Sequence, residues 1–202
     1  LPGFSGGTVY SYQNCLDEVC YANAYQYDGQ HGCQDGVCPT CGAIIEVLRL
    51  GDNGAVEYLT SMAQALYDWQ YVAGHTLVLM RDIRTDYDTF NISDRKVDLN
   101  GYTWDLGNTT LYNTDKIPDE IIDNTVTIMD SVGGGEINCT GSTGNANGTF
   151  CQMSKKSGCV DGAGELNLYS GTIRRVKVEE AVSASGGLIY LSGGSTFNMY
   201  GG

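Results

Sequence analysis

Val97-Asp98-Leu99-Asn100-Gly101-Tyr102-Thr103-Trp104-Asp105-Leu106 decides how the chain is first read. Asn-Gly between two strand-like runs is the strongest short hairpin signal, because both central residues of a type I′ turn need positive φ. The stretch therefore predicts two antiparallel strands. The same pattern follows later, where Leu166 to Tyr169, Ser170-Gly171 and Thr172 to Val178 read as a second hairpin. Around these lie further strand candidates: Thr76 to Met80, the β-branched run Glu120 to Met129, and two short strands at Leu188 to Leu191 and Thr196 to Tyr200. Gly133 to Gly164 reads as a Gly/Ser/Asn loop, and no sequence repeat is found.

Upstream of residue 75 the signal is helical. Ile44, Ile45, Val47 and Leu48 form a short apolar stretch ended by Gly51-Asp52-Asn53-Gly54. Ala55, Leu59, Met62, Leu66 and Trp69 then recur at spacings of four, three, four and three, widened by Val56 and Ala63 and stopped by Gly74. This stripe predicts a second helix packed on the core. Residues 1–41 carry glycines, tyrosines and five cysteines but little that would bury a core, so disulfides are expected to hold them. The resulting expectation is one α+β domain over 1–202. A disulfide-stapled N-terminal loop (1–41) and two helices (42–74) pack on a mainly antiparallel β sandwich or barrel (75–202).

The eight cysteines fall in two groups, Cys15, Cys20, Cys33, Cys38 and Cys41 against Cys139, Cys151 and Cys159. Both groups are odd. If all eight are oxidised, at least one disulfide must join them, and the compartment is an oxidising one. A loop of about 100 residues closed this way stabilises by up to about 4–5 kcal/mol. Four N-x-[ST] sequons, at Asn91, Asn108, Asn138 and Asn147, point the same way, to a secreted and glycosylated chain. Leu1 opens without a charged-then-apolar leader, read as a signal peptide already removed.

Net charge of -13 argues against nucleic acid, since phosphate binding needs clustered Lys and Arg. The one basic run, Arg174-Arg175-Val176-Lys177, is followed at once by Glu179-Glu180. No apolar run approaches the roughly 18 residues of a membrane helix, so no span is expected. With 42% hydrophobic and 17% charged residues the chain is globular, and 28 glycines with 14 tyrosines favour a turn-rich β protein.

Motifs with chemistry fail on context. Cys33-x4-Cys38-x2-Cys41 has the spacing that opens a plant-type ferredoxin cluster loop, but the next cysteine is Cys139. Cys38-Pro39-Thr40-Cys41 resembles a thioredoxin-type redox pair but lacks the preceding strand. With only His31 and His75, and no second C-x-x-C, a zinc site is not expected. Gly3-Phe4-Ser5-Gly6-Gly7 has the letters of a nucleophile elbow without room for its strand. Asp82, Asp86, Asp88, Asp94, Asp98 and Asp105, with Tyr87, Tyr102 and Trp104 nearby, carry what a glycosidase needs, paired carboxylates and stacking surfaces. An acidic surface supplies the same cluster without chemistry.

No catalytic, cofactor or metal residues are therefore assigned. The expected function is an extracellular structural or self-assembling protein, a filament, coat or matrix subunit, with copies of itself as partner and a glycan as a further one. The final strand, Thr196 to Tyr200, is the expected point of association, because edge strands present unpaired N–H and C=O groups. A secreted monomeric effector, toxin or carbohydrate-binding module is the first alternative and a secreted glycosidase the second.

Overall fold

The structure is a computed structural model that describes residues 36–37, 44–51, 54–67, 75–86, 89–92, 95–107, 109–113, 125–140, 151–153, 164–175, 188–191 and 195–202, with backbone only at 67, 89, 91, 110, 112–113, 151–153 and 190. From residue 76 onward its strands come in threes. β3 (Thr76–Leu79), β4 (Ile83–Arg84) and β5 (Thr89–Asn91) are followed by β6 (Lys96–Asp98), β7 (Thr103–Asp105) and β8 (Thr110–Asn113). Next come β9 (Thr125–Met129), β10 (Glu136–Cys139) and β11 (Cys151–Met153), then β12 (Glu165–Leu168), β13 (Thr172–Arg175), β14 (Ile189–Leu191) and a last strand, β15 (Thr196–Met199). Each strand pairs in parallel with its counterpart one coil on, giving sheets β3-β6-β9-β12-β15, β4-β7-β10-β13 and β5-β8-β11-β14. The chain is thus a three-faced parallel β-solenoid, not an antiparallel sandwich or barrel.

Asn100 and Gly101 do adopt positive φ, 50° and 81°. They turn a corner, however, rather than closing a hairpin. β6 has both edges taken by β3 and β9, and β7 by β4 and β10, so the two strands flanking the turn lie in different sheets. Ser170-Gly171 makes the same corner one coil on from Asp130-Ser131, between β12 and β13, with Gly171 at φ 87°. Here a side chain is excluded twice over, because a Cβ would also stand 2.9 Å from Leu99 Cδ1. Within the expected Gly133 to Gly164 loop lie two strands, β10 and β11.

The core is built of rows that run along the solenoid axis. Leu77, Val97, Ile128 and Leu168 stand opposite one another, as do Val126, Leu166 and Phe197 on the same sheet. Ile83, Trp104, Ile137 and Ile173 form the row of the second sheet, and Phe90 and Leu111 that of the third. Most of these side chains are fully buried, each contributing about 1.5–3 kcal/mol.

A cap closes the first coil. β1 (Val47–Leu50) pairs antiparallel with β3, and β2 (Val56–Leu59) antiparallel with β1. The expected pair of helices is replaced by this hairpin and one short helix, α1 (Met62–Tyr67). Leu59 and Met62 keep the helical spacing only by coincidence across the strand–helix junction. In the first half, Val56-Glu57-Tyr58-Leu59, β-branched and aromatic residues suit a strand. Val47 and Arg49 both face inward, which hides the two-residue period of β1 behind a charge. Arg49 is 2% exposed and meets Glu57 Oε2 at 3.0 Å.

Both ends of α1 are held from outside. Glu46 Oε2 accepts from Met62 N at 2.8 Å and Ser61 Oγ from Ala63 N at 3.1 Å. At the other end buried Arg95 donates to Ala65 O (3.1 Å) and Leu66 O (3.2 Å), satisfying carbonyls that the helix leaves unpaired. Trp69 and Gly74 lie outside the described residues. Among the described residues, no helix is long and apolar enough to cross a membrane.

Candidate functional site

Of the clustered carboxylates, four are described, and each is engaged within its own coil or by a neighbouring one. Asp82 Oδ1 accepts from Thr103 N (2.8 Å), and Asp98 Oδ1 from both Asn100 N and Ser131 N (2.9 Å each). Asp105 accepts from Gly107 N (2.9 Å), from the Thr140 hydroxyl and from the Arg84 guanidinium, which also lies 3.8 Å from Asp86. Trp104, expected as a stacking surface, is wholly buried and donates from Nε1 to Thr85 Oγ1 at 3.1 Å. Tyr87, Asp88 and Asp94 lie outside the described residues. Among the described residues, no three His, Cys, Asp or Glu side chains converge as metal ligands.

Asp130 is a carboxylate that the sequence did not single out. It sits at the corner between β9 and β10, where Oδ1 accepts from Gly101 N and Oδ2 from Gly135 N, both at 2.7 Å. Its own amide donates to Ser170 Oγ at 2.7 Å, which ties three successive coils together. Burial pushes the Asp130 carboxyl up, but the amides of Gly135, Gly101, Gly133 and Val132 outweigh burial and hold it below its ordinary 3.8.

Cys139 corrects the disulfide expectation. Its side chain points into the solenoid from β10, 6% exposed and unbridged. Burial raises its thiol pKa to about 12, Arg175 works against that rise, and Asp105 adds to it. With Cys139 in no pair, the groups count five and two, and parity no longer demands a link between them. The side chains of the other seven cysteines lie outside the described residues. In the native protein Cys139 should resist iodoacetamide at mildly alkaline pH and react only in denaturant. Alkylation at equal rates in both states would show that the β10 row is open.

Of the sequons, only Asn138-Cys139-Thr140 is described throughout. Asn138 Nδ2 lies 3.5 Å from Glu136 Oε2, its Oδ1 is closed to solvent, and the Thr140 hydroxyl is held by Asp105. Asn91 is described in its backbone only, as the last residue of β5, while Asn108 and Asn147 lie outside.

The last coil presents the remaining candidate. β15 pairs with β12 on one side, where Thr196 N donates to Gly164 O (2.9 Å) and Tyr200 N to Leu168 O (2.8 Å). Alternate residues of a parallel strand point their amides to opposite edges. The N–H and C=O groups of Phe197 and Met199 therefore face the outer edge, which no strand among the described residues pairs with. Two ladders of like side chains end there. Asn198 Nδ2 donates to Asn167 Oδ1 (2.9 Å) and Glu165 Oε1 (2.8 Å), and the Tyr200 ring stacks on Tyr169 at 4.6 Å and 13°. Met199 and Tyr200 are 64% and 63% exposed.

The ladders expose a repeat that was missed: Leu166-Asn167-Leu168-Tyr169-Ser170-Gly171 lies against Phe197-Asn198-Met199-Tyr200-Gly201-Gly202. Compared with protein-family models, with curated proteins and with solved structures, the chain matches none.

Proposed function

We propose that this chain is an extracellular structural protein, a β-solenoid rod that associates with further copies of itself through the β15 edge. The observation that carries this reading is the outer edge of β15, which no strand among the described residues pairs with, flanked by the exposed Met199 and Tyr200. An edge of this kind adds strands, because each new strand satisfies a row of amides and extends side-chain ladders already in place. The cysteine content and four sequons support the extracellular setting. Against the glycosidase alternative stands the engagement of Asp82, Asp98 and Asp105 by backbone amides and Arg84.

Two prolines separate the edge from the sheet. Met199→Pro removes an outward amide and places a ring on the free edge, where proline is tolerated. Asn198→Pro removes an amide that faces β12. Light scattering should find concentration-dependent association for the native chain and a folded monomer for Met199→Pro. Asn198→Pro should instead lower the thermal midpoint. A native chain that stays monomeric at high concentration, or a Met199→Pro protein that associates as the native one does, would overturn the proposal.

A further inference from the structure

The Asn100-Gly101 corner has a chemistry of its own, independent of the β15 edge. In water, asparagine followed by glycine is the dipeptide most open to succinimide formation, since no side chain on the second residue hinders attack. The deprotonated Gly101 nitrogen attacks Asn100 Cγ, a C–N bond forms, and the side-chain nitrogen leaves as ammonia. Water then opens the ring to aspartate or isoaspartate. Nothing is oxidised or reduced, and water is the only co-reactant.

Both reacting groups are held in the folded corner. Gly101 N donates to the Asp130 carboxylate at 2.7 Å, and Asn100 Nδ2 donates to Leu79 O at 2.9 Å. The negative charge of Asp130 opposes loss of the very proton that attack requires. Asn100 is further pinned through its amide to Asp98 Oδ1 at 2.9 Å. Val132 Cγ1 lies 3.2 Å from where a Gly101 side chain would begin, so the backbone there is closely packed. We propose that Asn100 is a deamidation site kept closed by the Asp130 clamp and opened when this corner unfolds.

Conversion would be one-way in its effect on the fold. Aspartate at position 100 loses the donor to Leu79 O and sets a third carboxylate beside Asp98 and Asp130. Isoaspartate also lengthens the backbone at a turn whose φ values are fixed. A corner that has once opened and reacted cannot close as before, so Asn100 records unfolding of the first coils.

The test follows Asn100 by peptide mapping, scoring the mass gain of an amide-to-acid change in mildly alkaline buffer. Native chain, urea-denatured chain and Asp130→Ala are incubated side by side. Asn53-Gly54, the same dipeptide elsewhere in the sequence and outside any sequon, calibrates the denatured rate. Conversion of Asn100 should be at least about tenfold slower in the native chain than in the denatured one, because only the open state reacts. A folded Asp130→Ala protein should recover most of the denatured rate. Should that variant fail to fold, a urea series on the native chain below its unfolding transition replaces it, and the Asn100 rate should climb there with local opening. Equal rates in native and denatured chains would overturn the proposal. So would a folded Asp130→Ala protein that spares Asn100, or a rate flat in urea up to global unfolding.

Discussion

Trp104→Ala is expected to cost about 3–5 kcal/mol, the range for truncating a fully buried aromatic, and to lower the thermal midpoint by on the order of 10 °C. The indole lies between Ile83 and Ile137 in the inward row of the second sheet, with no exposed surface. Each coil packs only on its neighbours, so the space left by the ring has a fixed floor and ceiling and collapses little. Thr85, 2% exposed, also loses the donor to its hydroxyl. Trp104→Phe keeps most of the volume and should cost less than half as much. Urea unfolding monitored by circular dichroism reads both. A loss below about 1 kcal/mol for the alanine variant would mean that the ring is not in the core.

Asp130→Asn should destabilise by about 2–4 kcal/mol at neutral pH, since charged acceptors of backbone amides are among the stronger hydrogen-bond partners. Asparagine offers one oxygen where the carboxylate offers two, and turns an NH2 toward donors. The folded-state pKa lies below 3.8. The stabilisation from this carboxylate is therefore complete above the unfolded value and is lost as pH falls through the lower, folded one. The stability gap between native chain and variant should stay constant from neutral pH down to about 4 and close only below that. A gap that narrows already between neutral pH and 5 would point to a different titrating group.

How far the sequence foretold this fold depends on the kind of feature. Some strand positions were legible: the apolar run Thr76 to Met80 contains β3, and Thr196 to Tyr200 contains β15, whereas the alternating Ile137 and Cys139 of β10 went unread in a stretch taken for a Gly-rich loop. The backbone of Asn100-Gly101 was also legible, because positive φ at both residues is a local property. Strand partners were not, because a turn does not determine which edges pair. Closing a hairpin and turning a solenoid corner ask the same of Asn100 and Gly101. Arg49 and Arg95, buried charges facing inward, broke the apolar pattern of the cap.

The repeat escaped because coils differ in length. Thr76 stands opposite Lys96, Lys96 opposite Thr127, Thr125 opposite Glu165, and Glu165 opposite Thr196, offsets of 20, 31, 40 and 31 residues. A search for one fixed period averages over these and sees none. Asp130 was missed for a related reason. Its donors, Gly101 and Gly135, come from two coils, and nothing in the local sequence marks it apart from other surface acids.

The parallel solenoid itself is tested most directly by nuclear Overhauser contacts across β6. The register predicts backbone contacts from Val97 to Leu77 on one side and to Ile128 on the other. It predicts none of the close Hα–Hα contacts between Asp98 and Thr103 that an antiparallel hairpin around Asn100-Gly101 would give. Contacts to both neighbouring coils, with the Asp98–Thr103 pair absent, are the expected result. A strong Asp98–Thr103 contact with Val97 lacking either partner would contradict the account.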